Sequence, residues 1–130
     1  MFVNLLDNEG KEKFLELVYK VATIDGEFAD EEKELIDSYK AELGLSTISD
    51  TGKIADLIEY FSEESKEIKK VVLFELYGMI RADDKIEDDE EQVLRLIDEK
   101  FGLTSEEAES IINVAKELQQ VYDKIYEILF

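Results

Sequence analysis

From Phe14 onward the hydrophobic positions recur in steps of three and four: Phe14, Leu17, Val18, Val21 and Ala22, then Leu35, Ile36, Tyr39 and Leu43. Such spacing lays an apolar stripe along one face of a helix. Gly44 follows directly and predicts the end of the second helix, because glycine readily adopts the left-handed conformation that closes a helix. The pattern returns downstream. Val72, Leu76, Met79 and Ile80 form one stripe, and Val93, Leu94, Ile97 and Phe101 form the next, up to Gly102. Between them Ile54, Leu57, Ile58 and Phe61 mark a short connecting helix, with Ser62 read as the cap of a long helix running to about Ala82. Thr104 and Glu107 make a capping box for a last helix carrying Ala108, Ile111, Val114, Ala115 and Leu118. The chain has no proline and six glycines, so the breakers that punctuate β folds are scarce.

Sliding the chain on itself by 58 positions aligns "LVYKVATIDGEFADEEKELIDSYKAELGLS" (Leu17 to Ser46) with "ELYGMIRADDKIEDDEEQVLRLIDEKFGLT" (Glu75 to Thr104) without a gap. Tyr19 matches Tyr77, Asp25 matches Asp83, Asp30 matches Asp88, Glu32 matches Glu90, Gly44 matches Gly102 and Leu45 matches Leu103. Each copy reads as helix, acidic turn, helix, glycine. The expected fold is all-α: one domain over residues 1–130 built from two pseudo-repeated hairpins. It has six helices, or seven if the last breaks near Gln119. Asp30 and Asp88 are read as N-caps, Asp88 forming a capping box with Glu91.

The turn "IDGEFADEEKE" has the outline of the second half of a calcium loop. Counting back from Glu32 as the closing ligand puts Val21 and Thr23 at the first and third positions, and in the second copy Met79 and Arg81 fall there. Those positions require oxygen ligands, so the conventional loop is absent. What remains is a pair of acids in each copy, Asp25 with Glu32 and Asp83 with Glu90, seven residues apart across a turn. Asp25 and Asp83 continue the stripes of the preceding helices, while Glu32 and Glu90 lie four residues before Ile36 and Leu94. All four are expected to face the mouth of the hairpins, with Asp30, Glu34, Asp88 and Glu91 off the stripe. If the hairpins pack through a pseudo-twofold, converging carboxylates repel unless neutralised. A hard divalent cation such as calcium, magnesium or manganese suits all-oxygen ligands. Protonation, or pairing with Lys33, Arg81 or Lys85, serves equally. Alternatively the acids simply cap helices and offset their N-terminal dipoles.

The duplicated pattern, with "IDGEFADEE" or "ADDKIEDDE" between helices that end in "LGLS" or "FGLT", resembles the TerB-like family associated with tellurite resistance, from roughly Phe14 to Leu118. The resemblance implies an all-α domain of about seven helices whose Asp-Gly and downstream Glu form an acidic, metal-chelating surface. Carried over, it implicates Asp25, Gly26 and Glu32, and through the repeat Asp83 and Glu90. Asp84 stands where the first copy has Gly26.

Net charge is −19, from 34 acids and 15 bases, spread over both halves of the chain. That disfavours nucleic acid and favours cations or basic proteins. No cysteine leaves no disulfide or thiolate metal site and fits a cytoplasmic location. The most apolar run, "VVLFELYGMI", is short and interrupted by Glu75, which argues against membrane insertion. With no histidine, no cysteine, no phosphate-cradling loop and no nucleophile elbow, a non-enzymatic binding domain is expected, possessing a divalent cation or no cofactor at all. Tyr19 and Tyr77 are read as core residues with one polar handle. The final "VYDKIYEILF" has more hydrophobes than one stripe requires. It either completes the core or offers a surface to a homodimer or protein partner, the second possibility making the chain an interaction or scaffold module.

Overall fold

A computed structural model describes residues 2–24, 26, 30–80 and 88–130. Among these residues there are six α-helices, a short 3₁₀ turn and no strand: the turn Val3–Leu5, α1 Asn8–Ala22, α2 Asp30–Leu43, α3 Ile54–Ser62, α4 Lys66–Ile80, α5 Asp88–Phe101 and α6 Ser105–Leu129. The all-α expectation holds. α6 runs unbroken through Gln119, so the seven-helix alternative does not arise, and at 25 residues it is about 37 Å long.

Local chemistry accounts for most boundaries. Asp7 caps α1, its Oδ1 accepting the Gly10 N–H at 2.7 Å. At the other end of α1 the Thr23 hydroxyl donates to the Tyr19 carbonyl at 2.9 Å. α2 closes in a Schellman motif: Gly44 takes φ +71°, its N–H donates to Ala41 O, and the Leu45 N–H donates to Lys40 O at 2.9 Å. Gly102 has φ +64° after α5. The box at the start of α6 forms as expected, Thr104 Oγ1 accepting from the Glu107 N–H and Glu107 Oε1 accepting from the Thr104 N–H.

Three expectations need correction. Ser62 does not start the fourth helix; it is the last residue of α3 and donates to the Glu59 carbonyl. Ser65 takes the capping role, its Oγ accepting the Ile68 N–H at 3.3 Å. Asp30 and Asp88 are the first residues inside α2 and α5 rather than residues before them, a shift of one position of the kind helix ends commonly show. Glu91, expected to reach back to a cap, pairs instead with Arg95 one turn ahead at 2.9 Å. The stretch to Ala82 expected for the fourth helix runs past Ile80, outside the described residues.

α1 and α4 lie at the centre. α1 packs against α2, α3 and α4, while α4 also meets α3, α5 and α6, and α3 sits against α5. Phe14, Leu17, Leu57, Ile58, Phe61, Leu76, Ile97 and Phe101 are buried in one continuous core. Each such side chain contributes about 1.5–3 kcal/mol over its exposed state. The helical bounds also recur at the offset seen in the sequence: α1 and α4 both start and both end 58 positions apart, as do α2 and α5. No helix among the described residues is long and apolar enough to cross a membrane.

Candidate functional site

Of the four acids singled out, Glu32 and Glu90 are described, and each is the third residue of its helix, α2 or α5. Both are half-buried, whereas Asp30, Glu34, Asp88, Asp89 and Glu91 are exposed. The helical phase inferred from Ile36 and Leu94 accounts for this: four residues before a core position, a side chain leans toward the core. Asp25 and Asp83 lie outside the described residues, as do Asp84, Arg81 and Lys85. Lys33 Nζ stands 3.9 Å from exposed Asp30, the outer limit of an ion pair. Among the described residues no three acidic side chains gather in a way that holds a metal ion.

A second feature was not read from the sequence. α2 and α6 stand on either side of α4 and leave between them a groove of about 330 Å³. Leu35, Ser38, Tyr39 and Glu42 form one wall, Ala115, Leu118, Gln119 and Tyr122 the other, with Phe74, Glu75, Gly78 and Met79 between. Glu75 is a carboxylate with 7% exposure. Its Oε2 accepts from Tyr39 Oη at 3.0 Å and its Oε1 from the Phe2 N–H at 2.8 Å. Burial, with the Glu75 charge beside it, pushes the Tyr39 phenol well above the usual tyrosine range, so Tyr39 stays a neutral donor. The Tyr39 ring also packs edge-on against Phe14, with centroids 5.4 Å apart. The one available signal was Glu75 itself, a carboxylate inside "VVLFELYGMI": an acid in an apolar run must find donors when that run is buried.

On α6 the lining of the groove ends at Tyr122. Ala115 is buried against the body and Leu118 is half-buried, but every residue from Gln120 to Phe130 is exposed. Val121, Tyr122, Ile125, Tyr126, Ile128, Leu129 and Phe130 are 41–93% exposed. Val114, expected on the inner stripe, is 54% exposed. Val114, Val121 and Ile128, seven apart, lie on a line of their own, beside the line of Ala115, Tyr122 and Leu129. The terminal stretch therefore does not complete the core. Of the two matched tyrosines, Tyr77 is buried and Tyr19 half-buried against the core, as expected of packing residues.

No protein-family model matches the chain, and neither a curated protein nor a solved structure matches it.

Proposed function

We propose that this protein is a non-enzymatic binding domain that engages another protein through the apolar face of α6. One observation carries the reading: over its last three turns α6 exposes six large hydrophobic side chains, and Phe130 just after it adds a seventh. Single exposed hydrophobes are ordinary, whereas a contiguous run of this kind marks an interaction surface. A helix packed on the body at one end and bare at the other offers a rigid ledge, so little ordering entropy opposes binding. The test compares the wild type with Val121→Ser/Ile125→Ser/Ile128→Ser against a library of displayed helical peptides, alongside sedimentation over a range of concentrations. The wild type is expected to enrich binders or to self-associate, and the variant to do neither while keeping its helicity. A wild type that enriches nothing and stays monomeric overturns the reading.

A second reading follows from the pseudo-equivalent, half-buried placement of Glu32 and Glu90. On this reading the chain is a TerB-like domain of two repeated hairpins, linked to tellurite or another stress. Glu32 and Glu90, with Asp25 and Asp83, would bind calcium, magnesium or manganese. Thermal melts of chelator-stripped protein, with each ion added separately, test it. A ligand that binds only the folded state, at 100 times its dissociation constant, adds about 2.7 kcal/mol. An upward shift in Tm that disappears in Glu32→Gln and Glu90→Gln supports the site, and no shift with any ion removes it.

A further inference from the structure

The interaction reading can be taken to a partner class, on which the following inference rests. α4 contains a glycine, Gly78, in its last turn, two residues before Ile80, and glycine within a helix costs up to about 1 kcal/mol relative to alanine. Gly10, in the first turn of α1, has a reason within the fold: a Cβ there would meet Asp7 Oδ1 at 2.9 Å and Leu6 Cβ at 3.4 Å. Gly78 has no such reason, since an added Cβ would meet nothing within 4 Å. Nor is its φ in the left-handed region. Its missing side chain leaves backbone open at the floor of the groove between α2 and α6. Glycine at such a place permits close approach by another chain.

The walls set the charge of what approaches. Each of the two flanking helices, α2 and α6, carries six acids against two bases. Among the described residues Glu42 and Glu75 line the groove, and no lysine or arginine does. The whole chain stands at −19, so a second copy would bring charge of the same sign. The apolar surface is elongated: past Tyr122 in the groove wall, Ile125, Tyr126 and Leu129 are exposed on the bare end of α6, a further 10 Å or so at 1.5 Å per residue. An extended apolar track borne on two acidic helices fits an amphipathic helix better than a compact small molecule.

From this we infer that the α2–α4–α6 groove, with the terminal ledge of α6, docks a basic amphipathic helix of a partner protein. Its apolar face lies over Gly78 and Met79 and along Tyr122 and Ile125, and its lysines and arginines meet the acids of α2 and α6. Gly78 sets how closely the two backbones approach. Glu42 contributes to the attraction at the rim.

The experiment uses two fluorescent helical peptides with the same leucine face at i, i+3 and i+7, one with a lysine/arginine polar face and one with a glutamate polar face. Binding is read by fluorescence anisotropy at low and at physiological salt. The basic peptide is expected to bind at least about tenfold more tightly than the acidic one, and less tightly as salt rises. Gly78→Leu, which fills the floor from an unobstructed position, should weaken it at least about tenfold with helicity unchanged. Glu42→Lys should narrow the gap between the two peptides. Equal binding of both peptides, indifferent to Gly78→Leu yet lost in the ledge variant, overturns the groove and its basic partner but leaves the interaction reading standing. If neither peptide binds and the chain is a dimer that the ledge variant dissociates, a second copy is the occupant and the basic helix is again overturned. Failure of both peptides with a monomer at every concentration overturns the interaction reading as well.

Discussion

Tyr39 on α2 donates its hydroxyl to the carboxylate of Glu75 on α4, 3.0 Å away and buried in the wall of the groove. This bond joins two residues, on α2 and α4, that 35 others separate in the chain, and the Phe2 N–H brings the N-terminal turn to the same carboxylate. A hydrogen bond to a charged group contributes about 1.5–3 kcal/mol. Tyr39→Phe should therefore lower the unfolding free energy by about that amount, measured by urea titration with an unchanged m-value. An unaltered midpoint would show that the bond adds nothing.

The same tyrosine sets a limit at alkaline pH. Its phenol is raised in the folded state, chiefly by burial and next by Glu75. A group raised on folding gives its full stabilisation below its unfolded pKa, about 10 for tyrosine, and loses it as pH rises above that value. Wild type should lose stability above about pH 10 more steeply than Tyr39→Phe. Parallel stability curves for the two would contradict this.

Glu16, 3% exposed on α1, holds the loop between α2 and α3. Its Oε1 accepts the Thr51 and Gly52 amides at 2.9 and 2.8 Å. Glu16→Ala removes the acceptor and should cost about 1–3 kcal/mol. Hydrogen exchange should show the Thr51 and Gly52 amides losing protection ahead of the amides in the centre of α1. Uniform loss along the chain would mean that the effect is global.

Glu107 links the start of α6 to the start of α4. The Thr104 N–H and then the ammonium groups of Lys66 and Lys70, 3.1 and 3.3 Å away, lower its carboxyl from 4.5 to about 2. A group lowered on folding stabilises above its unfolded pKa, and that contribution is lost as pH falls through the folded value. The stability difference between wild type and Glu107→Gln should be full above about pH 4.5, shrink below it and vanish under about pH 2. Acid titrations followed by circular dichroism read the gap directly, and a constant gap across this window would exclude the linkage.

The core and the ledge should respond differently to truncation. Phe61 is fully buried, and Phe61→Ala should cost about 3–5 kcal/mol through lost burial and a residual cavity. Ile128 is 81% exposed, and Ile128→Ser should change stability by less than about 0.5 kcal/mol. Comparable losses in chemical denaturation would mean that the end of α6 is covered in solution.

The outer part of the candidate site was only partly legible before the fold was known. The register to Ile36 and Leu94 places Glu32 and Glu90 facing inward, and they are half-buried while Asp30, Glu34, Asp88, Asp89 and Glu91 are exposed. That inference needed only the helical repeat. The groove was not legible, because its lining comes from three helices and a cavity depends on how those helices are set against one another. Gly78 likewise carries no signal in the sequence; only the fold shows that, among the described residues, nothing lies within 4 Å of the Cβ it lacks.

Helix type and number, and most of the boundaries, followed from local interactions: apolar steps of three and four, the Thr104–Glu107 box, the closing glycines Gly44 and Gly102. Local rules failed where two neighbouring residues offered the same chemistry, as with Ser62 and Ser65, since either can cap and packing chooses between them. They also could not settle the last ten residues. Hydrophobic spacing marks a face that gains by leaving water, but not whether the chain itself supplies the surface to cover it. In this fold α6 packs against α4 and buries Ala115, whereas Val121 to Phe130 are exposed.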